Sequence, residues 1–299
     1  MSRLYATALF VTLATVWGLS FPAISVGLDH LPPLLFAAFR YDTAAVLLLG
    51  YAVATTDSWR PVGRNDLQAV LWGGLFLVAG NGLLFIGQQT VPSGVAAIQQ
   101  ALVPIMTALW ALLLLGERIS PVGAVGVAVG FLGVGLIVQP DSNDLLAGDT
   151  LGRLIILGQV SSVSLGGVLI DRAAPSMERV AMTGWAMLLG GVVLHLLSLS
   201  AGERAPATLP DPVALGAVVY LGVFSTALAF VIYFTILDER GAFETNLVTY
   251  LVPVVATVAG VVLLGESVGP LSVAGFLVVF LGFALLKRRA LVELSAGVS

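Results

Sequence analysis

The side chains able to do chemistry in this chain are few, and they stand at helical spacing inside apolar runs. Asn81, Phe85 and Gln88 fall at i, i+4 and i+7. Gln100, Pro104 and Thr107 repeat that spacing with Gln99 adjacent, and Asn246, Tyr250 and Pro253 repeat it again. Trp17, Ser20 and Phe21 share one turn, Gln159 and Ser162 stand three apart, and Tyr233 and Arg40 add a phenol and a guanidinium. Amides offer both donors and acceptors, aromatic rings offer apolar area and a face to an ammonium group, and a guanidinium binds carboxylate. Together they suit non-covalent binding of a small amphipathic solute. The expected binding set is Trp17, Arg40, Asn81, Phe85, Gln99, Gln100, Gln159, Tyr233, Asn246 and Tyr250.

Bond-breaking chemistry has no apparatus. With no cysteine and only His30 and His195, neither a thiol nucleophile nor a thiolate or histidine metal site is available. The sole lysine, Lys287, follows no phosphate-binding glycine loop, and no Gly-x-Ser-x-Gly elbow occurs. No cofactor is expected. The net charge of −4 and the lack of a basic patch exclude nucleic acid as a partner.

The elements that carry these groups must lie in a bilayer. Of 299 residues 58% are hydrophobic and 10% charged, with a mean hydropathy of +1.03, whereas a soluble domain carries roughly 25% charged residues. Cutting at charges, Pro and Gly gives ten apolar segments, about 5–27, 33–55, 66–88, 92–115, 121–139, 150–170, 178–200, 212–235, 243–264 and 270–287. The first is expected to be a retained span rather than a signal peptide, since it runs unbroken past Trp17 and Pro22. Arg3, Arg60, Arg64, Arg118, Arg172, Arg179, Arg240, Lys287, Arg288 and Arg289 fall on one side, ten against the two of Arg153 and Arg204. Both termini are therefore expected in the cytoplasm of a bacterial inner-membrane protein.

Residues 103–138 align without a gap on 252–287 at an offset of 149. Val103-Pro104 falls on Val252-Pro253, Leu114-Leu115-Gly116-Glu117 on Leu263-Leu264-Gly265-Glu266, Pro121 on Pro270 and Leu132-Gly133 on Leu281-Gly282. Two halves of five spans follow, 1–140 and 146–290, with a cytoplasmic tail at 291–299. Five is odd, so the second half enters the membrane from the opposite side. An all-α membrane protein of ten helices, two inverted five-helix repeats around a central cavity, is the expected fold.

Trp17-Gly18-Leu19-Ser20-Phe21, Ala38-Phe39-Arg40-Tyr41, Val91-Pro92-Ser93-Gly94-Val95-Ala96-Ala97, Leu115-Gly116-Glu117-Arg118 with Pro121, and Leu264-Gly265-Glu266 with Pro270 resemble the EamA repeat. Over essentially its full length the chain resembles the EamA family of the drug/metabolite transporter superfamily, and its plan is similar to the amino-acid and metabolite exporters of that family. The resemblance implies a basket of ten helices with spans 5 and 10 at the periphery. The second half departs from the pattern, with no arginine at the place of Arg40 and no Trp-Gly pair opening the sixth span.

Individual residues carry further expectations. Arg40, on the order of 10 Å inside the end of its helix, is expected to meet a substrate carboxylate or an internal acceptor. Asp42, at i+2, faces away from it. Pro22, Pro104 and Pro253 each remove a backbone hydrogen bond inside a span and are expected to kink or hinge it. Glu117 and Glu266, at the membrane boundary, are read as structural, and His195 as a packing residue in preference to a proton relay. The Ser161, Ser162 and Ser164 cluster is read as glue between helices. Gly126 and Gly130 give close helix contact within the fold or a dimer face, leaving the protein a monomer or weak homodimer. Asp42 and Glu244 are the only acids at or inside a span edge and neither has an obvious partner, so transport is expected to follow gradients without proton coupling.

The leading functional reading is a secondary transporter or facilitator exporting amino acids and related metabolites by alternating access. The same class admits a nucleoside, a sugar derivative or a cationic drug as cargo. A membrane enzyme, a channel or a receptor lacks the clustered acid-base groups or repeated polar rings it would need.

Overall fold

A computed structural model describes residues 3–139, 148–204 and 211–288, so the boundary between the expected halves lies partly, and the tail 291–299 wholly, outside the described residues. Among the described residues there are only helices and their connections. Nine are long and apolar enough to cross a membrane: Leu4–Leu28, Pro33–Thr55, Gly63–Gly87, Ser93–Leu115, Pro121–Val138, Gly148–Ala173, Arg179–Ser200, Pro212–Gly241 and Glu244–Leu264. A shorter apolar helix, Pro270–Leu286, completes the set, and its 17 residues reach about 25 Å at 1.5 Å each. These ten are numbered below as spans 1 to 10. Leu112, Leu113, Leu132, Val262, Leu277 and Leu281 remain exposed on their outer faces, where acyl chains rather than water are the solvent.

Five spans are irregular at places the sequence explains in part. Span 1 breaks at Leu19 and resumes at Ser20–Leu28, a few residues before Pro22, whose missing N–H frees a carbonyl one turn back. Span 4 divides into Ser93–Gln100 and Val103–Leu115, and Pro104 lies in the first turn of the second piece, where proline is at home. Pro253, its expected counterpart, instead sits inside the continuous helix Val248–Leu264, and the local tightening falls earlier, at Leu247. Spans 3 and 8 each contain a π-helical stretch, Gly73–Ala79 and Tyr220–Leu228.

Packing is closest where glycines meet. Spans 5 and 10 lie against each other so tightly that a Cβ on Gly126 would stand 2.5 Å from the carbonyl oxygen of Gly282, and one on Gly133 would stand 2.8 Å from that of Gly275. Gly126 is thus spent on an intramolecular contact, which favours the first of the two readings of its motif. Spans 2 and 7 form the other extensive helix pair. They carry Ala37, Ala44, Ala45, Leu48, Met187 and Leu194 into the buried core.

Candidate functional site

The polar groups of spans 2, 3, 4 and 6 join in one chain. Gln100 donates through Nε2 to Oε1 of Gln159 at 2.9 Å, and Gln159 donates through Nε2 to Oδ1 of Asn81, also at 2.9 Å. Asn81 in turn donates through Nδ2 to the hydroxyl of Tyr41. Gln159 and Tyr41 are buried while Asn81 and Gln100 keep part of their surface free. The network therefore has a satisfied back and an open front.

Arg40 lies beside it and is only 8% exposed. Its Nε donates to Oγ1 of Thr226 at 2.8 Å, and its guanidinium carbon stands 5.3 Å from the Tyr41 ring centroid and 5.9 Å from that of Phe85. Phe85 is held edge-on against Phe36 at 5.3 Å. Among the described residues no carboxylate lies within salt-bridge distance of Arg40. A buried guanidinium held at one nitrogen and framed by rings has the chemistry to bind a carboxylate.

A second, aromatic cluster is built from spans 1, 8 and 9. Trp17 packs on Tyr233 at 5.6 Å and edge-on to Phe230 at 6.2 Å, and the Tyr233 hydroxyl donates to Oδ1 of Asn246 at 3.4 Å. Trp17, Phe230, Tyr233 and Asn246 are each half-buried.

Two expected members point elsewhere. Tyr250 lies against Phe280 and Phe283 of span 10 at 5.2 and 4.7 Å, and Gln99 donates to the carbonyl oxygen of Arg153 at 2.8 Å. Neither joins the amide chain or the aromatic cluster. Tyr41 joins the amide chain through Asn81 and Thr226 bonds Arg40, although helical spacing of amides does not select either of them. Gln88, the third member of its face, donates to the carbonyl oxygen of Phe21 at 3.1 Å and to Ser25 Oγ at 3.3 Å. It lines a separate crevice of about 540 Å³ with Ser25, Asp29, Thr90 and Glu266.

The serine cluster bonds between helices as expected: Ser162 donates to the carbonyl oxygen of Phe76 at 2.9 Å and Ser164 to that of Val103 at 3.1 Å. The intramembrane acids, however, do have partners. Asp42 meets His195 Nε2 at 2.7 Å across spans 2 and 7, and Glu244 lies 3.8 Å from Arg240. Nothing local in the sequence encodes the first pairing, whose members stand 153 residues apart, whereas Arg240 and Glu244 stand four apart, a spacing at which side chains can meet on a helix. Asp42 also packs on Gly191, and Phe39 stands edge-on to His195 at 5.8 Å. Converting His195 to phenylalanine strands the carboxylate among apolar groups and should lower unfolding stability by about 1–3 kcal/mol. The double replacement of Asp42 and His195 by leucine should cost less than that single one. Detergent unfolding followed by tryptophan fluorescence on the three proteins measures both.

Comparison with known proteins adds the family. The model of the EamA-like transporter family matches residues 4–139 and 150–288. The chain is 33% identical to the uncharacterized inner membrane transporter YedA of Escherichia coli strain K12, over 89% of this chain and 84% of that one. It is 31% identical to a probable terminal-alkyne amino-acid exporter of Streptantibioticus cattleyicolor, over 95% and 93% of the two chains. A solved crystal structure with 22% identity superposes with a TM-score of 0.64, covering 97% of this chain and 99% of the other, which supports the fold.

Proposed function

Because the chain belongs to the EamA-like transporter family of the drug/metabolite transporter superfamily and is a multi-span membrane transporter, we propose that it exports amino acids and close relatives by alternating access. The observation that carries this reading is Arg40, buried and cationic with no anion beside it among the described residues. A substrate carboxylate completes it, and the rings of Tyr41 and Phe85 exclude water from the pair. The free sides of Asn81 and Gln100 bond the ammonium and further polar groups, while Trp17, Phe230 and Tyr233 offer apolar area to a side chain. One similar protein is named as a probable amino-acid exporter.

The rest of the mechanism follows from the same reading. The protein sits in the inner membrane with both termini in the cytoplasm, and its halves act as inverted five-helix repeats. Transport follows the substrate's gradient, since Asp42 and Glu244 are each engaged with a neighbour away from the amide chain. Trp17, Arg40, Asn81, Phe85, Gln100, Gln159, Tyr233 and Asn246 form the binding set, without Gln99 and Tyr250, which turn to the Arg153 carbonyl and to span 10.

Purified protein titrated with a panel of amino acids should gain about 5 °C of thermal stability at a hundredfold excess over Kd, and their methyl esters should give none. Stabilisation by nucleosides or lipophilic cations, with amino acids inert, would transfer the reading to the other cargo classes.

A further inference from the structure

Where spans 1, 3 and 9 finish and span 4 begins, the ends of the helices enclose the crevice of about 540 Å³ met above. That size falls in the range of about 300–1,000 Å³ found for small-molecule sites. Its charged groups are of one sign. Asp29, at the close of span 1, is exposed at the rim, and Glu266, in the turn after span 9, is half-buried. Among the described residues that line it there is no lysine, arginine or histidine. His30, next to Asp29 in sequence, is paired with Asp211 at 3.1 Å.

The polar groups of the crevice have acceptors to spare. Gln88 lines it and is only 5% exposed. Its Nε2 is committed to the Phe21 carbonyl at 3.1 Å and to Ser25 Oγ at 3.3 Å, while its buried Oε1 has no hydrogen-bond partner among the described residues. A carbonyl left unmet at that depth is costly until a donor reaches it. Glu266 accepts from the Ser93 amide at 3.0 Å, from Ser93 Oγ at 2.7 Å and from the Gly94 amide at 3.4 Å, which fills three of the roughly four sites a carboxylate offers. Thr90 spends its hydroxyl hydrogen on the carbonyl oxygens of Gly87 at 3.5 Å and Gly148 at 3.4 Å, and its lone pairs remain. Val26, Leu28 and Leu264 add apolar area to the same walls. A space of this size is too roomy for a bare metal ion, which draws about six to eight oxygens to within about 2.6 Å. It suits a positive charge with hydrogens to donate and an alkyl chain behind it.

We propose that this crevice is a binding site for the primary ammonium group of an alkylamine or of a larger molecule that carries one. The hydrogens of the ammonium are shared among the carboxylates of Asp29 and Glu266 and the free Oε1 of Gln88, and the alkyl chain lies on the apolar wall. Gln88 follows Phe85 by three residues on span 3, and the Phe85 ring stands beside Arg40. The crevice and the Arg40 neighbourhood are thus about one helical turn apart on that span and attract opposite charges. The inference goes beyond the export reading and stands whether or not Arg40 binds cargo. Two sources supply such a group: a free amine in solution, and the ethanolamine head of a lipid at the same membrane face.

The probe is n-butylammonium chloride, read by saturation-transfer NMR on the full chain in phosphatidylcholine nanodiscs, with empty discs as the blank. Asp29→Asn is expected to weaken binding about tenfold through the loss of a charged acceptor, and Gln88→Met, which removes the unpaired one, by a similar factor. Asp29 is exposed, so its variant keeps the fold should the buried one not. Asp57→Asn, beyond the far end of span 2, should change nothing, and Glu266 is left native because it also holds the start of span 4. Tetramethylammonium, charged but with no hydrogen to donate, should fail to compete, and Arg40→Gln should bind the probe as the wild type does. The rim is solvated, so affinity is expected to be weaker than at Arg40 and the methyl esters stay silent at concentrations that saturate that site. Adding phosphatidylethanolamine to the discs separates the sources: displacement of the probe assigns the crevice to the lipid head, undisturbed binding to a free amine. Unchanged binding in Asp29→Asn, competition by tetramethylammonium or calcium equal to that of a second alkylamine, or loss of binding in Arg40→Gln each overturns the ammonium site. Amino acids that fail to stabilise the protein while butylammonium still binds sink the export reading alone.

Discussion

Replacing Arg40 with glutamine is expected to cut transport of carboxylate-bearing substrate about a hundredfold while leaving the folded protein at near-normal abundance. The size follows from losing hydrogen bonds to a charged group, each worth about 1.5–3 kcal/mol, in a setting that excludes water. Folding is spared because, among the described residues, the guanidinium pairs with no carboxylate and its one hydrogen bond to a side chain is to Thr226 Oγ1, and a glutamine amide can reach a hydroxyl too. Removing an unpaired buried charge even relieves a desolvation cost. Lysine is expected to rescue little, since a compact ammonium cannot bond Thr226 and a carboxylate together in the planar geometry of arginine. Initial uptake rates in proteoliposomes, normalised to protein recovered after size-exclusion chromatography, measure the effect. Near-wild-type rates in Arg40→Gln would remove the carboxylate from the proposed substrate.

Gly282→Leu is expected to do the reverse, abolishing recoverable folded protein while touching no solute. A Cβ there would stand 2.6 Å from the Gly126 carbonyl oxygen and 2.7 Å from the Gly130 amide nitrogen, and backbone has no rotamer with which to yield. Spans 5 and 10 would have to part along their length, costing the dispersion contacts that hold helices together in lipid. The expected loss exceeds the roughly 1–3 kcal/mol of an ordinary overpacked core site. Gly135→Leu is the control, because nothing lies within 4 Å of a Cβ at that position. The two variants compared by yield and by thermal unfolding decide the matter.

Much of the fold is written openly in the sequence because lipid enforces it. A backbone in hydrocarbon must satisfy its own hydrogen bonds, so a run of about 20 apolar residues has few alternatives to a helix. The helix ends fall within a few residues of the sequence expectation for most spans, marked by Pro33, Pro121, Pro212 and Pro270 in first turns. Span 8 is the exception, running on to Gly241 where 235 was expected. The candidate site was legible only in part. Spacing put Asn81 with Phe85, and both reach the Arg40 neighbourhood, but a period of 3.6 says which residues share a face and not where that face points. Gln99 and Gln100 show the difference: neighbours in sequence, they turn to the Arg153 carbonyl and the Gln159 amide respectively. Tyr250 followed Asn246 by one turn and still faces span 10. Contacts such as Arg40 with Thr226 or Asp42 with His195 join distant spans, and nothing local encodes them.

The π-helical stretches of spans 3 and 8 end at Ala79 and Leu228, again 149 positions apart, and each leads toward a group of the site: Asn81 just beyond the first, Thr226 within the second. A π turn is one residue of surplus winding stored in an α-helix. Such a surplus behaves like a dislocation in a crystal row. It can glide along the helix by exchanging one hydrogen bond at a time, and the segment it crosses turns about its axis while both flanks stay where they are. Asn81 and Thr226 could thus be swung toward or away from a solute without either span leaving its neighbours, an adjustment of aim that needs no rigid-body motion.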